Sequence, residues 1–110
     1  ATDHAPHSPE EKSKGLEHSA MGISGLETAF PVLYTYLVMS GKVSLQRILE
    51  ALTSSPRKAF GLPPVLEEGA AADIAIIDTR TESTPFEGKR VYGKVLMTLK
   101  DGVAVWKDNN

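Results

Sequence analysis

Three side chains that can bind a metal ion or move a proton lie within five positions near the start of the chain: Asp3, His4 and His7. Asp3 could ligate a divalent cation and take a proton from a metal-activated water, as carboxylates do in hydrolytic sites. The common alternative for an aspartate in such a segment is a turn or an N-cap. Pro6 restricts the backbone just before His7. These residue types and their spacing indicate a catalytic loop.

The two histidines could bind zinc as a pair, because His4 and His7 are three positions apart. Two imidazoles and one carboxylate are too few on their own, since structural zinc sites use four protein ligands and catalytic sites use three plus water. His18 could join them only if the intervening loop folded back. The residues alone therefore leave two alternatives: a metal site completed by other ligands, or histidines that face solvent.

Two glycines, Gly22 and Gly25, precede a predicted helix. Glycine lets backbone N–H groups approach an anionic or carbonyl-bearing ligand closely. The glycine spacing matches neither a P-loop nor a dinucleotide fingerprint, which excludes nucleotide sites of those types. A plain loop leading into a helix is the alternative, and Glu27 fits a first-turn carboxylate that favours the helix dipole.

The composition excludes several classes of protein. The chain has 110 residues and a formal charge of −2, so a nucleic acid or an anionic membrane is not expected as partner. It contains no cysteine, which excludes disulfides and thiolate metal sites and fits a cytoplasmic protein. No apolar segment approaches the ~20 residues that cross a bilayer.

Apolar periodicity and capping residues predict helices in the middle of the chain. The first covers residues 28–40 and is ended by Gly41. The second covers residues 44–53 with Ser44 as its N-cap. A short third helix is predicted with Ser55 as its N-cap and Pro56 in its first turn, and Gly61 ends it.

The later part of the chain predicts strands. Asp73–Asp78 is an apolar run between two acids, which suits a strand buried on both faces. Residues 94–100 and 103–106 flank Asp101-Gly102, a strong signal for a tight hairpin. Residues 79–90 have the composition of a loop.

Two segments carry a family resemblance: Ala1-Thr-Asp-His-Ala-Pro-His7 and Gly22-Ile-Ser-Gly-Leu-Glu-Thr-Ala-Phe-Pro31. They resemble the C-terminal part of the long-chain dihydroorotases, within the amidohydrolase superfamily. Ser54–Gly61, Glu68–Asp78 and the Asp101-Gly102 hairpin are similar to motifs shared widely across that superfamily. The resemblance therefore covers essentially the whole chain.

The resemblance implies an α/β fold made of parts of two domains. Residues 1–62 would supply the last strand and the following helices of a (β/α)₈ barrel that hydrolyses its substrate with a metal. Residues 63–110 would supply a C-terminal β segment of a small β-sandwich domain. A whole barrel needs about 250 residues, so we expect the other strands and most metal ligands upstream of Ala1. Ala1 is then expected to be a cut or a numbering origin.

The resemblance also implies roles for particular residues. Asp3 would bind the metal, take a proton from the bridging hydroxide and return it to the leaving ring nitrogen. His7 would bind the substrate's carboxylate, and the main chain of Ala5 and Gly22 would contact the pyrimidine ring. One or two zinc ions are implied, with most ligands outside this chain. His4 receives no role.

The implied activity is the reversible hydrolysis and cyclisation of dihydroorotate and N-carbamoyl-aspartate in de novo pyrimidine biosynthesis. We expect the isolated chain to be inactive without the N-terminal remainder of the protein. A homodimer or a complex with aspartate transcarbamoylase is the expected assembly. The alternatives are a non-catalytic dihydroorotase-like partner of aspartate transcarbamoylase and a hydantoinase- or allantoinase-like cyclic amidase. Ser19-Ala-Met-Gly22 stands where the family has Ala-Pro-Phe-Gly, so we expect the ring contacts to differ there.

Overall fold

The computed structural model describes residues 2–64 and 66–109. Its contacts divide the chain into two compact units, Ala1–Phe30 and Pro31–Asn110. The expected cut at Ala1 lies outside the described residues. Within the described residues, no helix is both long enough and apolar enough to cross a membrane.

In the first unit a short helix, α1, spans Pro9–Lys12. Ser8 is its N-cap: the Ser8 hydroxyl accepts from the Glu11 amide at 3.3 Å, and the Ser8 amide donates to the Glu11 carboxylate at 2.9 Å. This reciprocal pair is a capping box, and the proline at the first helical position is already fixed near a helical φ. Helix α1 was not predicted, although Ser8-Pro-Glu-Glu11 carries the capping-box pattern.

The expected helix over residues 28–40 is present, but only its first half is α-helical. Helix α2 spans Ala29–Leu33 and continues as a π-helix over Tyr34–Val38. The Met39 amide donates to the Tyr34 carbonyl, five residues back, at 2.9 Å. Gly41 follows with φ of +73°, in agreement with its predicted role in ending the helix.

Two further helices follow. Helix α3 spans Leu45–Leu52, and the Ser44 hydroxyl accepts from the Arg47 amide at 3.2 Å, which confirms Ser44 as the N-cap. Helix α4 spans Ser54–Ala59 and so begins one residue before the expected cap. The side chain of its N-cap, Thr53, makes no capping bond to α4 and instead donates to the Leu49 carbonyl at 2.6 Å.

The β part of this α/β chain is one antiparallel sheet. Strands β1 (Ile74–Phe86), β2 (Lys89–Lys100) and β3 (Val103–Lys107) lie in the order β1-β2-β3. The predicted hairpin is confirmed, since Lys100 pairs with Val103 and both turn residues have positive φ, +50° at Asp101 and +79° at Gly102. A two-residue turn of this kind matches the twist of the flanking strands.

Two expectations about β1 were wrong. Residues 79–90 are not a loop: β1 continues to Phe86, and only two residues separate it from β2. Nor is the first part of β1 buried on both faces, because Ile76 is 44% exposed. Both errors have one cause. β1 is an edge strand of an antiparallel sheet, where polar residues and a proline are tolerated and one face meets solvent.

The core of the second unit lies between helix and sheet residues. Val91 of β2 is fully buried, and Ile48 of α3 is 7% exposed. The Tyr92 amide donates to the Thr35 hydroxyl at 2.7 Å, which bonds the π-helix to β2. This bond satisfies a polar group beside the most deeply buried side chain.

Asp73 stabilises the β2–β3 turn from outside the strands. Its carboxylate accepts from the Asp101 amide at 2.9 Å, and both of its oxygens lie 3.0 Å from the Lys100 ammonium. The Asp101 amide, followed by Lys100, lowers the pKa of Asp73. The hairpin is therefore bonded to the residue just before β1.

Candidate active site

Asp3 lies in the first loop with its side chain exposed. Its backbone has φ of +48°, a left-handed conformation that aspartate tolerates better than most residues. The next residues fix it there: His4 forms a parallel bridge with Ile23, and the Ala5 amide donates to the Ile23 carbonyl at 3.0 Å. The Asp3 side chain is exposed and has no hydrogen bond or ion pair among the described residues. It is available as a ligand or as a base.

Gly22 is packed directly against the first loop. Its φ is +137°, and a Cβ at this position would lie 2.6 Å from the Ala5 Cβ and 2.7 Å from the Ala5 carbonyl oxygen. The same Cβ would lie 3.3 Å from the His7 ring. Any side chain at residue 22 would collide with backbone, so only glycine fits. Three of the predicted site residues, Ala5, His7 and Gly22, are thus brought together.

The His7 ring is engaged on both sides. Its Nε2 lies 3.0 Å from the Met21 carbonyl oxygen, and its Nδ1 lies 3.6 Å from the Glu11 carboxylate. The Ser8 amide is the main cause of the lowered pKa of Glu11, and the charge of His7 adds to it. A ligand carboxylate would have to compete with Glu11 or with Met21 for a nitrogen of His7.

Lys12 joins His7 in fixing the loop before Ile23. Its ammonium donates to the Ala20 carbonyl at 3.0 Å and also to the Gly22 carbonyl. Together with the bond from His7 to Met21, three successive carbonyls accept from two side chains of the preceding segment. Lys12 was not among the predicted site residues, because nothing in the residue pattern distinguishes it from neighbouring lysines.

His4 is bonded to the turn that leads towards α2. Its Nδ1 accepts from the Gly25 amide at 2.9 Å and from the Leu26 amide at 3.2 Å. The sequence predicts the Gly25 amide as a possible contact for an anionic or carbonyl-bearing ligand. In the structure that amide already has His4 as its partner.

The three candidate metal ligands do not converge. His7 is bonded to Met21, and His4 is bonded to Gly25. Within residues 2–64 and 66–109, no group of three or more histidine, cysteine, aspartate or glutamate side chains could hold a metal ion. The described residues therefore supply one carboxylate that fits a metal ligand, and they do not form a metal site by themselves.

Comparison with known proteins identifies the family. The family model described as "Amidohydrolase family" matches residues 1–105. The chain belongs to the amidohydrolase family.

The curated relatives reported next are dihydroorotases, which confirms the resemblance described above. The chain is 45% identical over 121 residues to the dihydroorotase of Bacillus cytotoxicus, covering 97% of this chain and 28% of the relative. It is 44% identical over 122 residues to the dihydroorotase of Halalkalibacterium halodurans, covering 98% of this chain and 28% of the relative. The dihydroorotase of Brevibacillus brevis is also 44% identical, with 98% and 29% covered. The chain spans little more than a quarter of the length of these relatives.

Proposed function

We propose that this chain is the C-terminal segment of a dihydroorotase, which interconverts dihydroorotate and N-carbamoyl-aspartate in pyrimidine biosynthesis. Support comes from 44–45% identity to dihydroorotases over nearly the whole chain. In this proposal residues 1–62 complete a (β/α)₈ barrel, and residues 63–110 are the C-terminal segment of a β-sandwich domain. The small-molecule substrate and the N-terminal remainder of the protein are its partners, in the cytoplasm, as a homodimer or with aspartate transcarbamoylase.

The observation that carries the proposal is the exposed carboxylate of Asp3, which has no partner among the described residues and lies next to the His4–Ile23 bridge. Asp3 acts as a metal ligand and as the proton carrier. It takes a proton from the attacking water and delivers that proton to the ring nitrogen as the amide C–N bond breaks. One or two zinc ions, held mainly by ligands outside this chain, would polarise the scissile carbonyl when bound.

The loop around Gly22 supports a role in orienting the ring. The Ala5 amide already donates to Ile23, which leaves the Ala5 carbonyl as its main-chain group for a ligand. The Gly22 carbonyl already accepts from Lys12, which leaves the Gly22 amide. An acceptor at Ala5 and a donor at Gly22 would match the N–H and C=O of a cyclic amide. His7 then binds the substrate's carboxylate through a ring N–H.

The test is an assay of the whole polypeptide that carries these residues, purified with zinc, together with the 110-residue chain alone. We expect the whole polypeptide to consume dihydroorotate, followed by ultraviolet absorbance, and the 110-residue chain to show negligible turnover with zinc or manganese. Metal-dependent turnover by the 110-residue chain would contradict the segment proposal. If the whole polypeptide turned over only hydantoin or allantoin, the proposed activity would change from dihydroorotase to another cyclic amidase. No turnover, with binding to aspartate transcarbamoylase, would indicate a non-catalytic partner.

A further inference from the structure

The imidazole of His4 accepts two hydrogen bonds at one nitrogen. Its Nδ1 accepts from the backbone N–H of Gly25 at 2.9 Å and of Leu26 at 3.2 Å. A backbone amide can only donate, so Nδ1 must offer its lone pair. In a ring with an unprotonated Nδ1, the hydrogen is on Nε2. The two bonds therefore define the tautomer of His4.

His4 bonds to the same stretch of chain through its backbone as well. It forms a parallel bridge with Ile23, whose carbonyl accepts from the Ala5 amide. Asp3 immediately precedes the bridge on one segment, and Gly22 immediately precedes it on the other. The residue that joins the two segments is thus the chain neighbour of the proposed proton carrier.

We propose that His4 is a positioning residue, which acts through the Gly25–Leu26 turn to fix the Asp3 carboxylate and the Gly22 main chain. Without an acceptor at the Nδ1 position, two amides at the turn lose their partner, and the turn separates from residues 3–5. The same geometry excludes His4 as a metal ligand, because Nδ1 is occupied and Nε2 carries the hydrogen. The kinetic part of this inference rests on the proposed function; the structural part does not.

The first test uses the 110-residue chain labelled with ¹⁵N. A scalar coupling across the N–H···N bond, between the Gly25 amide nitrogen and the His4 Nδ1, is the expected signature. In His4→Asn the amide oxygen takes the place of Nδ1 at the same distance from Cβ, so we expect the Gly25 and Leu26 amide shifts to stay close to wild type. In His4→Gln the oxygen lies one bond further out, and these shifts should move towards those of His4→Ala.

His18 provides the matched control. It is an exposed histidine in the same unit, and its side chain has no hydrogen bond or ion pair among the described residues. His18→Asn and His18→Gln should leave the Gly25 and Leu26 amides unchanged. If the coupling is absent, or if His4→Asn and His4→Gln disturb these amides equally, the inference is wrong.

The second test measures kinetics and bound metal in the whole polypeptide. A misplacement of about 1 Å can lower the rate by about 100-fold, so we expect His4→Gln to lower kcat on that order, with a smaller change in KM. His4→Asn should restore most of kcat, and both variants should bind as much zinc as wild type. Loss of zinc in His4→Asn would overturn the inference. If the coupling is observed but the wild-type whole polypeptide is inactive, the proposed function is wrong. The positioning of the Gly25–Leu26 turn by His4 would then still be supported.

Discussion

The two units of this chain are stabilised by different kinds of bonds. In Ala1–Phe30, side chains bind the main chain: His4 bonds to two amides, while Lys12 and His7 bond to three carbonyls. In Pro31–Asn110, main chain binds main chain along β1, β2 and β3, around the buried Val91. The shape of the candidate site thus depends on a few replaceable side chains, whereas the sheet depends on backbone pairing. A single substitution should therefore be able to destabilise one unit and leave the other unchanged.

The largest expected effect is chemical and leaves both units folded. Asp3→Asn removes the basic carboxylate, and general acid–base groups contribute about 10²–10⁴-fold to the rate. The kcat/KM of the whole polypeptide for dihydroorotate should therefore fall by that factor. The amide spectrum of the 110-residue chain should be unchanged beyond the immediate neighbours. Glu17→Gln, an exposed acid in the same unit, is the control and should keep full activity. Equal activity of Asp3→Asn and wild type would remove Asp3 from the mechanism.

Gly22→Ala should disrupt the first unit alone. The new Cβ would lie 2.6 Å from the Ala5 Cβ, at a φ of +137° that alanine rarely adopts. Strain and overpacking together should cost about 3 kcal/mol locally. The amide resonances of residues 2–30 should shift, while those of β1–β3 should stay in place. Gly15→Ala is the control, since it also has positive φ but no atom within 4 Å of the added Cβ.

Val91→Ala should do the reverse and weaken the second unit. Val91 is fully buried, and removing its two methyl groups should lower the free energy of unfolding of the sheet by about 2 kcal/mol. Urea unfolding followed by circular dichroism measures this loss. Val103→Ala is the control, because Val103 is 65% exposed and should change stability by less than about 0.5 kcal/mol. A shift of the Gly22 or Gly25 amides in Val91→Ala would show that the units are not separable.

The smallest expected effect concerns Asp73 and depends on pH. Its pKa in the folded chain is lowered below the ordinary value of 3.8, chiefly by the Asp101 amide. The ionised carboxylate therefore stabilises the fold above pH 3.8, and this contribution is lost as the pH falls through the lowered pKa. The urea midpoint of Asp73→Asn should lie below wild type at pH 7 and approach it at the acid end. Glu67→Gln, at an exposed acid, is the control variant.

The sequence predicted those parts of the fold that a few neighbouring residues determine. Ser44 caps α3 within one turn, and Asp101-Gly102 needs only positive φ at two positions, so both signals are local. The second half of β1 could not be predicted in the same way. Its strand is specified by pairing with β2, for example Ser83 with Val91, while its polar residues and Pro85 resemble a loop.

The same distinction between local and long-range signals applies to the residues of the candidate site. The resemblance to dihydroorotases selected Asp3, Ala5, His7 and Gly22, and the structure brings the last three together. The partners that fix them were not predictable. His4 bonds to amides 21 and 22 positions away, and Lys12 to carbonyls 8 and 10 positions away. No periodicity of one element relates residues at those separations.

The order β1-β2-β3 has a consequence for how fast the sheet forms. Each neighbouring pair of strands is joined by a turn of two residues, 87–88 and 101–102, so the chain closes only short loops to pair them. Hairpins of this kind form in about 1–10 µs, and folds built from local pairings are the faster ones. We therefore expect the sheet to nucleate within Ile74–Lys107 as soon as that stretch has been synthesised.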